Sequence, residues 1–245
     1  MITSFIQGGL GNQLFQVAAG LSLAKEIGTD FKLLKGQHHL PLQGTRIENY
    51  YSTIFKNLEL VDSLPSNISV FQEKSFAYSE LPKVDNLMLW GYFQSEKYFL
   101  SNADLIRNVI NFPYKDTKEG YVSVHFRQGD YTKNPDIHYI QKLDYFQRAI
   151  DKIGSYKKLL VFSDSELPTN FQFHNMELVN SGNDLEDMSL MSSCEHNIIS
   201  NSTFSWWAAW FNRNKNKIVI APKVWFGYKG PQDYYDIYCN GWSVI

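Results

Sequence analysis

Short apolar runs alternate along the chain with longer stretches of helical spacing. In the first half, the pattern predicts strands at Ile2–Ile6 and Phe31–Leu34 and a helix at Gln13–Glu26. In the second half, predicted strands and helices alternate in the order Tyr121–Val124, Tyr139–Ile153, Leu159–Phe162, Leu185–Ser193, Asn197–Ile199, Phe204–Phe211 and Ile218–Ile220. This alternation predicts an α/β fold with parallel sheets.

The middle of the chain, residues 36–118, has a less regular pattern than either end. We therefore predict two domains, at residues 1–110 and 111–245, and leave open that the C-terminal tail packs back on the first domain. Open parallel sheets bind ligands at the carboxyl ends of their strands, so candidate residues are sought there.

Composition excludes some classes of function. Lys and Arg number 23 against 25 Asp and Glu, so the net charge of −2 argues against a nucleic-acid-binding protein. Two cysteines, Cys194 and Cys239, form neither a disulfide framework nor a metal-ligand pattern. No signal peptide or spanning segment is recognisable. We expect a cytoplasmic protein with at most peripheral contact to the inner membrane.

A glycine-rich turn, Gly8–Gln13, follows the first predicted strand and opens a helix. Such a turn lets a ligand approach the backbone and the helix amides, although it also occurs as a plain structural turn. Its spacing differs from that of dinucleotide and phosphate loops.

Polar residues end the strand that contains Val122 and Val124. Alternation along the strand places His125 and Arg127 on one side of it, at the edge where α/β folds bind ligands. The planar guanidinium group of Arg127 suits a diphosphate. The alternative is structural: an Arg127–Asp130 ion pair across a turn, with His125 in the core.

Asp164 follows the apolar strand Leu159–Phe162. Its carboxylate could accept two hydrogen bonds from a guanine edge, or could cap a helix. Together with Glu166 it is a poor match to the paired acids of metal-dependent nucleotide-sugar enzymes.

Small hydroxyl residues precede a helix rich in tryptophan, Phe204–Phe211. Amides and hydroxyls at the start of a helix can bind phosphate, and the same residues can simply cap a buried helix.

Together these segments resemble the bacterial alpha-1,2-fucosyltransferases, glycosyltransferase family eleven. The resemblance is carried by GGLGNQLFQ near the N-terminus and by residues 91–99, 122–131, 162–164, 187–210 and 222–226. It implies a GT-B fold of two facing Rossmann-like domains with the active site in the cleft between them. It also implies that the second domain binds GDP-fucose and the first binds the acceptor.

The resemblance also implies residue roles. Arg127 would bind the diphosphate, His125 and Asp164 the guanine, and Asn12 would lie near the transferred sugar. Where the family often has a second acid after FSD, this chain has Ser165. The remaining substrate-binding candidates are Gly9, Gly11, Gln13, Asn201, Ser202, Thr203, Phe204 and Ser205.

The implied reaction is an inverting transfer of L-fucose to the 2-hydroxyl of a terminal β-galactose, without metal or other cofactor. Arg127 and the helix amides would stabilise charge that develops on the diphosphate. A base must accept the hydroxyl proton, and Asp130 and Glu96 are both candidates. Partners would be GDP-fucose and an oligosaccharide or lipid-linked glycan. Alternatives are another GDP-sugar, another linkage, or a non-catalytic GDP-sugar- or glycan-binding protein.

Overall fold

The computed structural model describes residues 1–36 and 46–245 and shows two compact units. Unit 1 comprises the described part of Met1–Phe112 together with Asp233–Cys239. Unit 2 comprises Pro113–Gln232 and Asn240–Ile245. The chain therefore first leaves unit 1 two residues after the predicted boundary at 110, and a segment near the C-terminus belongs to unit 1.

Unit 1 is built on short parallel strands. Its strands are β1 (Ile2–Ser4), β2 (Lys32–Leu34), β3 (Glu59–Val61), β4 (Ser69–Gln72) and β5 (Leu87–Trp90), and its helices are α1 (Leu10–Ile27) and α2 (Ala103–Val109). One sheet has the order β1-β5-β4, and β2 pairs with β3. A parallel bridge between Ile2 and Phe31 connects the two sheets.

Unit 2 contains a six-stranded parallel sheet in the order β11-β10-β9-β6-β7-β8. Its strands are β6 (Lys118–Phe126), β7 (Lys158–Ser163), β8 (Met176–Val179), β9 (Cys194–Ile198), β10 (Val219–Ala221) and β11 (Ser243–Val244), and its helices are α3 (Leu143–Ile153), α4 (Asp184–Ser193) and α5 (Thr203–Phe211). The predicted α/β fold with parallel sheets is confirmed.

Apolar side chains of the central strands form the core of unit 2. Val122 and Val124 on β6 pack with Val161 on β7 and with Phe146 on α3. Both faces of the inner strands are covered, which explains their nearly continuous apolar sequence. The polar residues that follow β6, β7 and β9 therefore lie at one edge of the sheet.

Two carboxylates of the segment Asp233–Cys239 bind this segment to the rest of unit 1. Asp233 accepts hydrogen bonds from the Ser75 hydroxyl and from the Phe76 amide. Asp236 accepts one from the Tyr78 amide and forms an ion pair with Lys97. In the ranges 1–36 and 46–245, no helix combines the length and apolar composition needed to cross a bilayer.

Candidate active site

The guanidinium group of Arg127, directly after β6, is bound by two carboxylates. Nη1 lies 2.7 Å from Oδ2 of Asp164, and Nη2 donates to Oδ1 of Asp130. Nε is buried without a hydrogen-bond partner among the described residues, and the group lies over the ring of Tyr131 at 5.0 Å. The Arg127–Asp130 ion pair foreseen as a structural alternative is thus present, and Asp164 joins it.

Asp164 also organises the turn after β6. Its Oδ1 accepts hydrogen bonds from the amides of Gln128 at 2.9 Å and Gly129 at 3.2 Å. A Cβ at Gly129 would lie 2.3 Å from Oδ2 of Asp164, so a larger residue there would displace the Asp164 carboxylate. The predicted alternative of a helix cap is wrong, because the next helix begins only at Asp184.

His125 is buried beside this cluster. Its Nδ1 lies 2.8 Å from the hydroxyl of Ser200, and its ring is 5.7 Å from that of Phe204. Burial is the main cause that lowers the pKa of His125 to about 3, and the nearby Arg127 charge adds to the effect. His125 is therefore neutral near pH 7 and contributes hydrogen-bonding groups without charge.

The start of α5 adjoins the same edge, and Asn201 fixes it there. The side-chain nitrogen of Asn201 donates to the carbonyls of Tyr139 and Trp225, both at 2.8 Å, and its oxygen accepts from Gln141 at 3.1 Å. Asn201 is 2% exposed. Both ends of its side-chain amide are thus engaged within the protein, and the substrate contact of Asn201 stays a prediction.

Ser202, Thr203, Phe204 and Ser205 form the junction between Asn201 and the body of α5. The N-cap residue Ser202 makes no side-chain capping bond, and Ser205 Oγ donates to the carbonyl of Ser202. The tryptophans that follow, Trp206 and Trp207, are fully buried. The helix is therefore rigidly packed, with its first turn at the edge that carries Arg127.

Three contributors to this edge were not among the predicted site residues. Tyr131 donates from its hydroxyl to the carbonyl of Asn201 at 2.9 Å, and His138 stacks on its ring at 4.5 Å. Burial raises the pKa of Tyr131 to about 12 and lowers the pKa of His138. Ser200 is the third, through its bond to His125. Tyr131 and Ser200 lie inside quoted motifs, whereas no sequence signal marks His138.

In unit 1 the glycine-rich turn has the predicted place between β1 and α1. Gly8 has a φ of +77°, and a Cβ there would lie 2.3 Å from Nδ2 of Asn12. Gly9 caps α1, Gly11 is in its first turn, and Gln13 donates to the carbonyl of Gly8 at 3.0 Å. Only glycine fits this left-handed backbone and close approach without strain.

A further unpredicted residue contacts this turn. The side-chain nitrogen of Gln94 donates to Oδ1 of Asn12 at 2.9 Å. Of the two candidate bases, Asp130 is bound to Arg127 in unit 2, and Glu96 begins a 3-10 turn, Glu96–Tyr98, in unit 1. The structure thus gathers His125, Arg127, Asp130, Asp164 and the α5 start within unit 2, and the glycine turn with Asn12 and Gln13 within unit 1.

Cys194 and Cys239 are free thiols. Over residues 1–36 and 46–245, no group of three or more His, Cys, Asp or Glu side chains is arranged to bind a metal ion.

Sequence relatives of this chain are glycosyltransferases. It is 30% identical to an alpha-1,2-colitosyltransferase of Escherichia coli, covering 92% of each chain. It is 27% identical to the O-antigen biosynthesis glycosyltransferase WbnK of Escherichia coli, covering 91% of this chain and 94% of that protein. A galactoside 2-alpha-L-fucosyltransferase of Caenorhabditis elegans is also 27% identical, over 89% of this chain and 71% of that protein.

Among solved structures, the fucosyltransferase NodZ from Bradyrhizobium has a similar fold. The TM-score is 0.51 at 15% sequence identity, with 85% of this chain and 92% of that chain covered. This similarity supports the predicted GT-B class of two Rossmann-like domains. The family model for glycosyl transferase family 11 matches residues 1–245, and the chain therefore belongs to that family.

Proposed function

We propose that this protein transfers L-fucose from GDP-fucose to the 2-hydroxyl of a terminal β-galactose on a glycan. Membership of family 11 supports fucosyl transfer from GDP-fucose. The names of two relatives, a galactoside 2-alpha-L-fucosyltransferase and an O-antigen glycosyltransferase, support the linkage and an oligosaccharide or lipid-linked acceptor. The structural observation on which the proposal depends is that Arg127, after β6, and the start of α5, after β9, lie at the same edge of the unit 2 sheet.

In the proposed reaction, the acceptor oxygen attacks the anomeric carbon as the bond from that carbon to the diphosphate oxygen breaks. The configuration inverts, the hydroxyl proton passes to a base, and GDP leaves. Arg127 and the first amides of α5 stabilise the negative charge that grows on the diphosphate. His125 is neutral and so adds hydrogen-bonding capacity without charge.

The charges around Arg127 constrain how a diphosphate can bind. One guanidinium group faces the two carboxylates of Asp130 and Asp164, so the cluster is already negative. Because Nε is buried, a diphosphate, which adds further negative charge, must use the α5 amides or a position vacated by one carboxylate. We propose that Arg127 exchanges Asp130 for the diphosphate.

This exchange would connect donor binding with proton transfer. While Asp130 is bound to Arg127, its Oδ1 is occupied by the guanidinium group. Release of Asp130 by the donor would leave that carboxylate available as the base. Glu96 stays the alternative base.

We also propose that no metal is required. In metal-dependent enzymes that use nucleotide sugars, a divalent ion offsets the diphosphate charge through acidic ligands. Here Asp164, the acid at the end of β7, is occupied by Arg127 and by two backbone amides.

A cytoplasmic location, with peripheral contact to the inner membrane allowed, stays a prediction. The placement of the active site between the two units also stays a prediction.

A second candidate function uses a different donor. The relative with 30% identity is named for the transfer of colitose, which is L-fucose without its 3-hydroxyl. A pocket distinguishes such donors strongly only if it hydrogen-bonds that hydroxyl. The same family membership therefore also supports colitosyl transfer.

The test is incubation of the purified protein with GDP-fucose or GDP-colitose and a set of β-galactosides, followed by NMR analysis of the linkage. We expect an α-1,2-linked fucoside and faster turnover of GDP-fucose. Faster turnover of GDP-colitose would establish the second candidate. Binding of both donors without any product would instead indicate a binding protein, and an Arg127→Ala variant controls for contaminating transferases.

A further inference from the structure

The turn after β5 has a strained backbone at its centre. Phe93 has a φ of +52° although it is not glycine, and its side chain is fully buried. Non-glycine residues adopt this left-handed region only when the surrounding structure compels them. Such strain concentrates at functional sites.

The carboxylate of Glu73 compels this conformation. Its Oε2 accepts a hydrogen bond from the Tyr92 amide at 2.7 Å, and both oxygens accept from the Phe93 amide at 3.1 and 3.2 Å. The carboxylate lies against Gly91, where a Cβ would be 2.7 Å from Oε2. Burial raises the pKa of Glu73, so the protein keeps a carboxylate here at a desolvation cost.

The result of this arrangement is the position of Gln94. The side chain is 7% exposed, and its nitrogen donates to Asn12. Among the described residues, its oxygen Oε1 has no hydrogen-bond donor. Oε1 is not among the fully buried polar atoms of the described residues, so it is open to a hydrogen-bond donor from outside the protein.

The chemistry of the surroundings selects a neutral ligand. An amide oxygen accepts hydrogen bonds, and the Glu73 carboxylate nearby repels anions, so a phosphate is disfavoured. The candidate diphosphate ligands, Arg127 and the start of α5, belong to unit 2, whereas Gln94 and Asn12 belong to unit 1. A sugar hydroxyl of the acceptor fits these properties.

We propose that Gln94 is an acceptor-binding residue whose Oε1 accepts a hydrogen bond from a hydroxyl of the acceptor galactose, other than the one that reacts. Glu73 is the positioning residue that fixes Gln94 through the turn at Phe93. This inference rests on the proposed transfer to a β-galactoside.

The experiment is a double-mutant cycle between protein and substrate. Wild type and Gln94→Leu are assayed with methyl β-galactoside and with its 3-, 4- and 6-deoxy analogues. With methyl β-galactoside, we expect the acceptor kcat/KM of the variant to be about tenfold lower than that of wild type. With wild type, removal of one hydroxyl from the acceptor should lower kcat/KM by about the same factor. With the variant, removal of that hydroxyl should cause no further loss. Hydrolysis of GDP-fucose without acceptor should fall much less than acceptor kcat/KM, because Oε1 is proposed to bind the acceptor and the variant affects the donor side only through the lost bond to Asn12.

Gln72→Leu, an exposed glutamine on β4, is the matched control and should behave as wild type. Gln94→Glu, which keeps an acceptor oxygen, replaces the leucine variant if that variant melts early, and it should retain sensitivity to the same deoxy analogue. Glu73→Gln should reduce acceptor kcat/KM through the same hydroxyl while donor hydrolysis persists.

Additive losses at all three hydroxyls, or an equal loss of donor hydrolysis, would overturn the role of Gln94 and leave the proposed function intact. A wild-type protein that makes no galactoside product would overturn the proposed function itself.

Discussion

Arg127 and Asp164 follow the ends of adjacent parallel strands and form an ion pair at 2.7 Å. The register pairs Phe126 of β6 with Ser163 of β7, so the next residue of each strand lies at the same level. The pairing of β6 with β7 therefore places Asp164 within reach of Arg127, and the ion pair between them orients the guanidinium group.

Replacement of Arg127 by lysine should abolish most activity. The ammonium group of lysine has three donors on a single nitrogen, so it lacks the planar fork with which Arg127 bonds Asp130 and Asp164 through two separate nitrogens. We expect a loss of about 100-fold or more in kcat/KM for Arg127→Lys and for Arg127→Ala, measured by product formation at saturating acceptor. Near-normal turnover by the lysine variant would show that Arg127 does not act on the diphosphate.

Asp164→Asn should weaken binding of GDP and of inosine diphosphate alike, each by about tenfold. The variant loses the ion pair that orients the guanidinium group of Arg127 toward the diphosphate. A carboxylate has about four acceptor positions. Three are used by Arg127 and the amides of Gln128 and Gly129, so the arrangement leaves too few for a guanine edge. Calorimetry with both nucleotides is the measurement. If the variant loses only the preference for GDP, Asp164 is the guanine-binding residue that sequence similarity implies.

Activity should persist undiminished in excess EDTA. The diphosphate charge is proposed to be offset by Arg127 and the α5 amides, without a divalent ion. The assay compares initial rates before and after dialysis against the chelator. Inactivation that is reversed by Mn²⁺ or Mg²⁺ would require a metal site near Asp164 and Glu166.

Lowering the pH should reduce the free energy of unfolding, because His125 is buried in its neutral form. Its folded-state pKa of about 3 lies below the unfolded value, so the unfolded chain binds a proton first as the pH falls below about 6.5. Between about pH 7 and pH 5 this costs the folded state about 2 kcal/mol. Urea titrations of wild type and His125→Gln should differ in pH dependence by about this amount, and parallel curves would contradict the burial of a neutral His125.

Asn201→Ala should destabilise the fold by about 2–4 kcal/mol. The change removes the Asn201 donor to the carbonyls of Tyr139 and Trp225 and one of the two acceptors of the Gln141 side-chain nitrogen. Thermal or urea unfolding measures the loss, with Asn216→Ala, at an exposed position, as the control. A stable variant with weakened donor binding would instead support the predicted substrate contact of Asn201.

The sequence predicted most elements of unit 2 but misplaced some of their ends. The strand predicted at Asn197–Ile199 begins at Cys194, because the polar pair Glu195 and His196 interrupts the apolar run. The helix predicted from Tyr139 begins at Leu143, since residues before it bind Asn201. Short polar edge strands such as β3 and β4 carry no clear apolar signal.

Contacts within the candidate site could be predicted from the sequence where both contacting residues belong to one motif. Arg127 and Asp130 are three residues apart, so their ion pair could be anticipated from the sequence. The bonds from Gln94 to Asn12 and from His125 to Ser200 join residues 82 and 75 positions apart. Their geometry depends on strand order and register, which the local pattern does not encode.

The segment after Gln232 contributes Asp233–Cys239 to unit 1 and then supplies β11 to the sheet of unit 2. During synthesis, neither unit can acquire its full set of contacts until this segment has left the ribosome. A fragment that ends at Phe112 would lack the carboxylates that bind Ser75 and Lys97, and one that begins at Pro113 would retain a segment whose binding surface is missing. The folding of each unit thus depends on the same C-terminal segment. Chimeras between relatives should therefore exchange both units together with this segment.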